Sequence, residues 1–330
     1  MSAIFLALNG VRRIICHRNS EATACPDGTA AAILLADALP GAKITFAAYG
    51  AELDAVEPAP GLLFADICPR HRVDEHIAAG AIVLDHHDSH EDVVRRFGER
   101  GVFGCKTRSG ASLAHDYVWL PRVGLDGTSK TERARAERFA HLAAVRDTWQ
   151  RDHIDWLAAS EQASALSLFA WDDWRVLQQP FSGDATVLTS MLSCGRPLFA
   201  ARLRRAELAA RGVTYLWTTA GTRLAIVNTL DTSDLSEIVE ADILVGFSIF
   251  TDRDSPDEAP RMRFSFRSRG TYDVGLLAKT AGGGGHRGAA GCIVRLEWNV
   301  NAITQAFRFV ENYEAVQGYV VENGKDGGDP

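Results

Sequence analysis

The sequence lacks the short motifs that identify several common classes of enzyme. It has no His-Glu-x-x-His motif of zinc hydrolases and no C-x-x-C pair, and no Lys-Ser or Lys-Thr follows its glycine run as a Walker phosphate loop requires. No apolar run reaches membrane-spanning length, and no charged-then-apolar signal pattern opens the chain. The six cysteines are scattered, so we expect free thiols and a reduced, cytoplasmic compartment.

Positive charge does not exceed negative charge either. The chain carries 35 Lys and Arg against 42 Asp and Glu, which gives a formal net charge of −7. No overall positive field therefore draws the protein to long nucleic acid or to a membrane surface. A polyanionic substrate would have to be held locally, by a metal, a few Arg side chains or backbone amides. This argues for a small substrate and against a long duplex.

The length and the order of the apolar segments predict two domains of the α/β class. A chain of 330 residues exceeds one average domain, and its hydrophobic fraction of 46% and charged fraction of 23% are ordinary for a globular protein. In the first half, short apolar runs alternate with helical segments, which indicates a parallel sheet with right-handed crossovers. The expected strands are 12–17, 43–48, 61–66 and 81–85, and the expected helices are 29–39 and 72–79.

The later part of the chain shows a different pattern. Residues 109 to about 178 have a helical pattern and are rich in Trp. The Pro- and Gly-containing segment 179–184 indicates a boundary between structural regions. We therefore expect a catalytic domain over 1–180, which includes a helical linker region, and a smaller α/β domain over 190–330. Within the smaller domain the expected strands are 213–217, 224–230, 243–251 and 261–268, the expected helix is 232–240, and 325–330 is expected to be a disordered tail.

Acidic and histidine residues stand where the first-half strands run out into loops. These are His17, Asp27, Asp66 and the triplet Asp85-His86-His87. In an open α/β sheet, ligands bind beyond the carboxyl ends of the strands, so these side chains are expected to converge. Carboxylate oxygens and imidazole nitrogens are the ligands of a divalent cation such as Mn²⁺. Such ions lower the pKa of water and, in pairs, clamp the oxygens of an in-line displacement.

Each of these residues also has an ordinary structural explanation. A single Asp after a strand is usually a helix cap or a turn residue, and a His-His pair can lie in a surface loop. Helix capping does not call for Asp-His-His at a strand end, so the combination favours a metal site.

A second constellation is the glycine-rich segment Gly282–Gly291. Four successive glycines cost backbone entropy, and they allow the backbone to approach a ligand closely and to aim N–H groups at an anion. His286 would add a donor, and Arg267 upstream could bind a phosphate with two parallel hydrogen bonds. The structural alternatives are a flexible linker for the glycines and an ordinary surface position for Arg267.

Taken together, these motifs resemble the DHH superfamily of phosphoesterases. The resemblance spans nearly the whole chain, and the subgroup that it suggests comprises short oligoribonucleases and phosphatases of 3′-phosphoadenosine-5′-phosphate. The motifs, in chain order, are Cys25-Pro26-Asp27-Gly28, Phe64-Ala65-Asp66-Ile67, Val83-Leu84-Asp85-His86-His87, Ser109-Gly110-Ala111-Ser112-Leu113, Val145-Arg146-Asp147-Thr148-Trp149, and the C-terminal segments 265–268 and 282–291.

The resemblance implies a cleft between two domains, with two Mn²⁺ ions in the first domain and a nucleotide closed over by the second. Mg²⁺ or Co²⁺ could replace Mn²⁺, and the chain could form a homodimer. Asp85, His86 and His87 would carry catalysis. The implied metal ligands are His17, Asp27, Asp66, His86 and Asp147, with Cys25 as a further candidate, and the implied substrate-binding residues are His87, Arg267, Ser268, Gly284, Gly285 and His286.

The first motif departs from the family pattern in two ways. Cys25 stands where the usual His-x-x-x-Asp-x-Asp motif has its first Asp, although Cys-Pro-Asp-Gly also occurs in the superfamily. Its thiolate could bind a metal and favour softer ions than Mn²⁺, or it could be a neutral buried thiol that weakens one metal position. In addition, segment 18–24 looks enlarged, and if it moves His17 away, one ion loses two ligands.

Three functions are consistent with these features. The first is hydrolysis of phosphate esters in small nucleotides or very short oligonucleotides. The second is a phosphatase or pyrophosphatase that acts on short polyphosphate. The third is a nucleotide-binding module with weakened catalysis, which the departures at Cys25 and 18–24 would explain.

Overall fold

The computed structural model describes residues 7–20, 23–105, 107–124, 128–168, 181, 185–251, 260–269, 272–296 and 301–325. The chain divides into two compact units, Met1–Ala200 and Ala201–Pro330. Several regions that the sequence analysis singled out lie outside the described residues: Trp171, Trp174, most of the segment 179–184 and the expected tail beyond Lys325. Each unit has its own sheet, so the expected α/β class with two sheet-containing parts is confirmed.

The first unit alternates strands and helices along the chain. A π-helix spans His115–Gly124. The elements are β1 (Arg13–Ser20), β2 (Thr23–Ala24), α1 (Pro26–Ala38), β3 (Lys43–Ala47), α2 (Ala51–Asp54), β4 (Leu62–Ala65), α3 (Val73–Ala78), β5 (Ile82–Asp85), α4 (Glu91–Arg96), β6 (Gly101–Phe103), α5 (Gly110–Ala114), α6 (Lys130–Asp147), α7 (Trp156–Leu166) and α8 (Thr186–Ser193).

Five parallel strands form the sheet of this unit in the order β3-β1-β4-β5-β6. Every residue of β4 and β5 is buried, which is why these strands read as continuous apolar runs rather than as alternating ones. Core side chains pack on both faces of the sheet. Because the strands are parallel, their carboxyl ends lie along one edge, as the sequence predicted.

Two helices deliver residues to that edge from outside the strand ends. The first, α1, is almost entirely buried and begins at Pro26, a favourable first residue because proline lacks the N–H that would be unpaired there. The second, α6, starts with a capping box in which Ser129 and Glu132 exchange hydrogen bonds with each other's backbone N–H groups. It ends at Asp147.

The second unit, which the helix α9 enters from the first, contains α9 (Gly195–Ala210), β7 (Thr214–Trp217), β8 (Arg223–Val227), α10 (Thr232–Leu235), β9 (Ile243–Phe250), β10 (Arg261–Ser268), α11 (Val274–Lys279), β11 (Gly284–His286), β12 (Ala289–Arg295) and α12 (Ala302–Lys325). Its six strands form a mixed sheet in the order β11-β12-β10-β9-β8-β7, and α11 and α12 pack on one face of this sheet. The expected helix at 232–240 is shorter than predicted and ends at Leu235. The glycine run does not form an open loop.

Two further expectations concern the whole chain. All six cysteines are free thiols, as their scattered spacing predicted. Within the described ranges, no helix combines the length and the apolar character needed to cross a bilayer.

Candidate metal centre

His17 and Cys25 are brought together by a short hairpin. Strand β1 continues to Ser20, and β2 then pairs antiparallel with it, so the chain turns back beside His17. The Sγ of Cys25 donates to Oδ2 of Asp66 at 3.4 Å, and Nδ1 of His17 lies 3.4 Å from the same oxygen. The enlarged segment 18–24 therefore does not carry His17 away from the site.

Asp27 lies in the first turn of α1 and is buried. Its Oδ2 accepts a hydrogen bond of 2.6 Å from the backbone N of Gly110, and its Oδ1 accepts one of 3.2 Å from Ala111. Both donors belong to the first turn of α5, so that turn holds the carboxylate in place. A Cβ on Gly110 would lie 2.4 Å from Cβ of Asp66, and glycine alone permits this approach.

Asp66 follows β4 and is the centre of the site. Its φ of +61° is uncommon for a residue other than glycine, although Asp and Asn adopt this conformation most readily. The backbone N of Asp66 donates to Leu84 O at 2.9 Å, which anchors this turn to the neighbouring strand. Oδ2 faces His17 and Cys25, whereas Oδ1 lies 3.0 Å from Nε2 of His86.

His86 and Asp147 complete a second group around the other oxygen of Asp66. The Nε2 atom of His86 lies 3.1 Å from Oδ2 of Asp147 and 3.8 Å from Oδ2 of Asp27. The ligand atoms thus form two sets, each within 4.8 Å: His17 with Cys25 and Asp66, and Asp27 with His86 and Asp147. Asp66 contacts both sets and joins them.

The electrostatics of the site reflect crowded carboxylates in a buried place. Burial, followed by the charges of Asp66 and Asp147, raises the pKa of Asp27 well above its usual range. Burial alone would raise the pKa of Asp66 too, but the imidazoles of His17 and His86 lower it well below its usual range. Burial opposes protonation of His86, yet the negative charges of Asp147, Asp66 and Asp27 outweigh it and raise its pKa to about 10.

A divalent cation fits these residues. Among the described residues, Nδ1 of His17 and Oδ2 of Asp147 are buried side-chain atoms whose contacts with Asp66 and His86 lack hydrogen-bond geometry, and the two residues belong to different sets. Three carboxylates surround a single histidine, so an ion could replace the proton on His86 as the compensating positive charge. Carboxylate and imidazole donors are suited to Mn²⁺, and the thiol of Cys25 would shift the first set toward softer ions.

The surroundings of Cys25 favour the neutral thiol. Burial, then the charge of Asp66, raises the pKa of this thiol well above its usual value. Its hydrogen bond to Asp66 needs the S–H proton, which agrees with that direction. Binding of an ion by the thiolate would require this proton to leave.

Asp85 does not join the two ligand sets. Its Oδ1 accepts from Nδ1 of His87 at 2.6 Å and from the backbone N of His86 at 2.8 Å, and its Oδ2 accepts from Nδ1 of His90 at 2.9 Å. The carboxylate therefore orients the imidazoles of His87 and His90. His90 was not among the residues predicted from the sequence, nor were Tyr49 and Arg70, which contact it. A third histidine three residues after the triplet was the available signal.

In the second unit, Arg267 lies at the end of β10 beside α10. Its Nη2 donates to Oγ of Ser233 at 2.8 Å, and its Nη1 donates to Phe266 O at 2.8 Å. Ser268 does not accompany it, because successive residues of a strand point to opposite faces of the sheet. The Ser268 side chain is buried, and its Oγ accepts from the backbone N of Tyr272 at 3.3 Å.

The glycine-rich segment Gly282–Gly291 contributes to a hairpin of β11 and β12. The glycines differ in whether a side chain would fit at their position. A Cβ on Gly283 or Gly285 would lie 2.2 Å and 2.5 Å, respectively, from a carbonyl oxygen of β12, so packing requires both glycines. A Cβ on Gly284 would meet nothing within 4 Å. Packing does not account for Gly284, which leaves room above the strand for a ligand.

Strand register places the candidate anion-binding residues of this unit on one face. Ala289 pairs with Arg267 on one side and with His286 on the other. Gly284 lies two residues before His286, so it is on the same face, whereas Gly285 faces the opposite side. Two strand spacings separate the backbones of Arg267 and His286, which is about 10 Å. Arg267 and His286 therefore lie on the same face of the sheet, with one strand between them.

Comparison with solved structures supports the fold. No protein-family model matches the chain, and no curated protein matches it by sequence. Among solved structures, the DHH domain of a member of a family of ribosomal proteins matches with a TM-score of 0.57 at 13% identity, over 93% of this chain and 87% of that one. A pGpG-specific phosphodiesterase from Vibrio cholerae matches with a TM-score of 0.47 at 14% identity, over 96% and 100% of the two chains. On the first of these matches, the chain has the fold of a DHH-domain protein.

Proposed function

We propose that this chain is a DHH-superfamily phosphoesterase that hydrolyses phosphate esters of small nucleotides or very short oligonucleotides with the aid of bound metal. One observation carries the proposal. Donor residues spread from position 17 to position 147 meet in two sets that share Asp66. Helix caps and turn residues would not gather in this way.

The two sets would each hold one cation. His17, Cys25 and Asp66 would hold the first, and Asp27, Asp66, His86 and Asp147 would hold the second. Ions about 3.5–4 Å apart stabilise the attacking and leaving oxygens of an in-line displacement at phosphorus. We infer Mn²⁺ from the carboxylate and imidazole donors. The set that contains the Cys25 thiol would bind Mn²⁺ less selectively than the other set.

The protein side chains contribute binding and proton positioning. His87 has its Nδ1 engaged by Asp85, so Nε2 is the nitrogen that would donate to a phosphoryl oxygen or to the leaving oxygen. The negative charge of Asp85 raises the pKa of His87 despite its burial, which keeps a proton on the ring for that purpose.

We assign substrate binding in the second unit to Arg267, His286 and the backbone at Gly284. The guanidinium of Arg267 is held by Ser233, and the open surface at Gly284 would admit a phosphate or a sugar. In this proposal the first unit performs catalysis and the second unit selects the substrate. The net charge of −7 supports a small substrate, since long polyanions are repelled.

The test is Mn²⁺-dependent release of mononucleotides from a dinucleotide. His86→Ala should lower turnover to background, because it removes a donor that contacts three carboxylates. His71→Ala is a matched control, since His71 is an exposed histidine of the same unit. Unchanged turnover by His86→Ala would refute the metal-site assignment.

The same assay separates the competing functions. Adenosine 3′,5′-bisphosphate and short polyphosphate complete the substrate panel. Turnover of polyphosphate alone would support a pyrophosphatase. Nucleotide binding without turnover on the full panel would support a binding module.

A further inference from the structure

A chain of hydrogen-bonded side chains follows the Asp85-His86-His87 triplet and includes none of the residues assigned to the two ligand sets. It begins at His87, passes through the buried carboxylate of Asp85 and continues to His90, which is also buried. Arg70 ends the chain, with Nε and Nη2 at 3.1 Å and 3.0 Å from Nε2 of His90. The guanidinium of Arg70 lies 4.7 Å from the ring centre of Tyr49, which in turn packs against His90.

The donors in this chain fix where the proton of His90 resides. A guanidinium has only donors, so Nε2 of His90 must accept from Arg70 and carries no proton. The ring proton is therefore on Nδ1, and it is donated to Oδ2 of Asp85. With Oδ2 engaged in this way, Oδ1 of Asp85 is directed to Nδ1 of His87. Each hydrogen bond thus sets the direction of the next one.

We propose that His90, oriented by Arg70, is a positioning residue that acts on His87 through Asp85. The inference rests on the proposed function, because it treats His87 as the residue that contacts the phosphoryl group. Outer hydrogen bonds of this kind hold a functional imidazole in one tautomer and one orientation. Without His90 the carboxylate of Asp85 could rotate, and His87 would lose its alignment with the substrate.

A third cation is the competing explanation for this cluster, since ligand atoms of Asp85, His87 and His90 also lie within 4.8 Å of one another. Two observations oppose it. The distances of 2.6 Å and 2.9 Å from Asp85 to the two imidazoles are hydrogen-bond distances. The permanent charge of Arg70 next to His90 repels a cation.

The test compares two substitutions at the same position. Asn can present an amide N–H close to Nδ1 of histidine and so can still donate to Asp85, whereas Leu cannot. We expect His90→Leu to lower kcat about 10–100-fold, while KM and Mn²⁺ affinity change less than about twofold. His90→Asn should recover most of the lost kcat. His76→Leu is the matched control, since His76 is another buried histidine, packed on Phe64 outside the site.

Repeating the substitution in a His87→Ala background distinguishes positioning from general damage. If His90 acts through His87, His90→Leu should cause no further loss of kcat there, because the residue that it orients is absent. An equal loss in both backgrounds would overturn the proposal, as would a metal content of three ions per chain.

A second measurement does not depend on turnover. Nitrogen-15 NMR of the imidazoles in the full chain should show His90 as the neutral Nδ1–H tautomer, and Arg70→Met should allow a mixture of tautomers. An Nε2–H tautomer or a charged ring at His90 in the wild type would refute the inference. If no substrate is hydrolysed, the proposed function is wrong. The NMR result would still show whether Arg70 and Asp85 hold His90 in one tautomer.

Discussion

Asp66→Asn is the most informative substitution that the site offers. Asn is among the residues that tolerate a positive φ best, so the backbone at +61° should be kept. The side chain also keeps its shape, but one of its two oxygens becomes an NH₂ group, which cannot bind a cation. Since each oxygen of Asp66 faces a different ligand set, the change should deprive one set of a ligand whichever way the amide turns.

The magnitude follows from how binding contributes to stability. Loss of an outer hydrogen bond to a metal ligand typically lowers metal affinity about 10–100-fold, and loss of a ligand itself should exceed this. A 100-fold weaker affinity removes about 2.7 kcal/mol of the stabilisation that saturating metal gives to the folded state. We therefore expect the wild type to bind two ions and Asp66→Asn to bind at most one tightly.

The assay is thermal unfolding with and without Mn²⁺, together with the metal content after dialysis. The rise in Tm caused by Mn²⁺ should be largely lost in Asp66→Asn. Asp74→Asn, which changes an exposed Asp of the same unit, should keep the full rise. Two tightly bound ions and an unchanged rise in Asp66→Asn would refute the role of Asp66 as the shared ligand.

Three other predictions follow from the geometry of the site. Gly110→Ala should lower the free energy of unfolding by about 2–4 kcal/mol, because the added Cβ would overlap Asp66 and disturb the hydrogen bond to Asp27. Urea titration measures this loss, and Gly41→Ala is the control because a Cβ at position 41 has no neighbour within 4 Å. Cys25→Asp should raise the affinity for Mn²⁺ relative to Zn²⁺ in competition calorimetry, and an unchanged ratio would show that the thiol is not a ligand. The surrounding carboxylates raise the pKa of His86 to about 10, so an ion that binds His86 at neutral pH must displace its proton. Mn²⁺ affinity should therefore rise about tenfold per pH unit between about pH 6.5 and 8.5. An affinity that does not change with pH would contradict this displacement of a proton.

The sequence was sufficient to locate the candidate ligands because the parallel sheet imposes their meeting place. Asp66 and His86 follow adjacent parallel strands, so the position of each residue along its strand determined where its side chain emerges. Short uninterrupted apolar runs indicated those strands, because both faces of each strand are buried.

Other features depend on tertiary contacts that no local pattern records. The hairpin that returns Cys25 to His17 involves only two residues of β2, too few to give a periodic signal. The hydrogen-bond partners of Asp85 show that its carboxylate orients His87 and His90. His90 belongs to none of the motifs on which the sequence prediction relied. The glycines at 283 and 285 are explained only by the carbonyl groups of the strand beside them.

The spread of the ligands along the chain has a consequence for how the first unit withstands digestion. Two ions joined through Asp66 would together tether β1, the start of α1, the turns after β4 and β5, and the end of α6, whereas the six cysteines are free thiols. Such a tether closes several loops at once and restricts the unfolded chain much as a set of disulfides does in a secreted protein. Removal of the ions by a chelator would release all of these segments together, so proteases should gain access across the whole unit rather than at one loop.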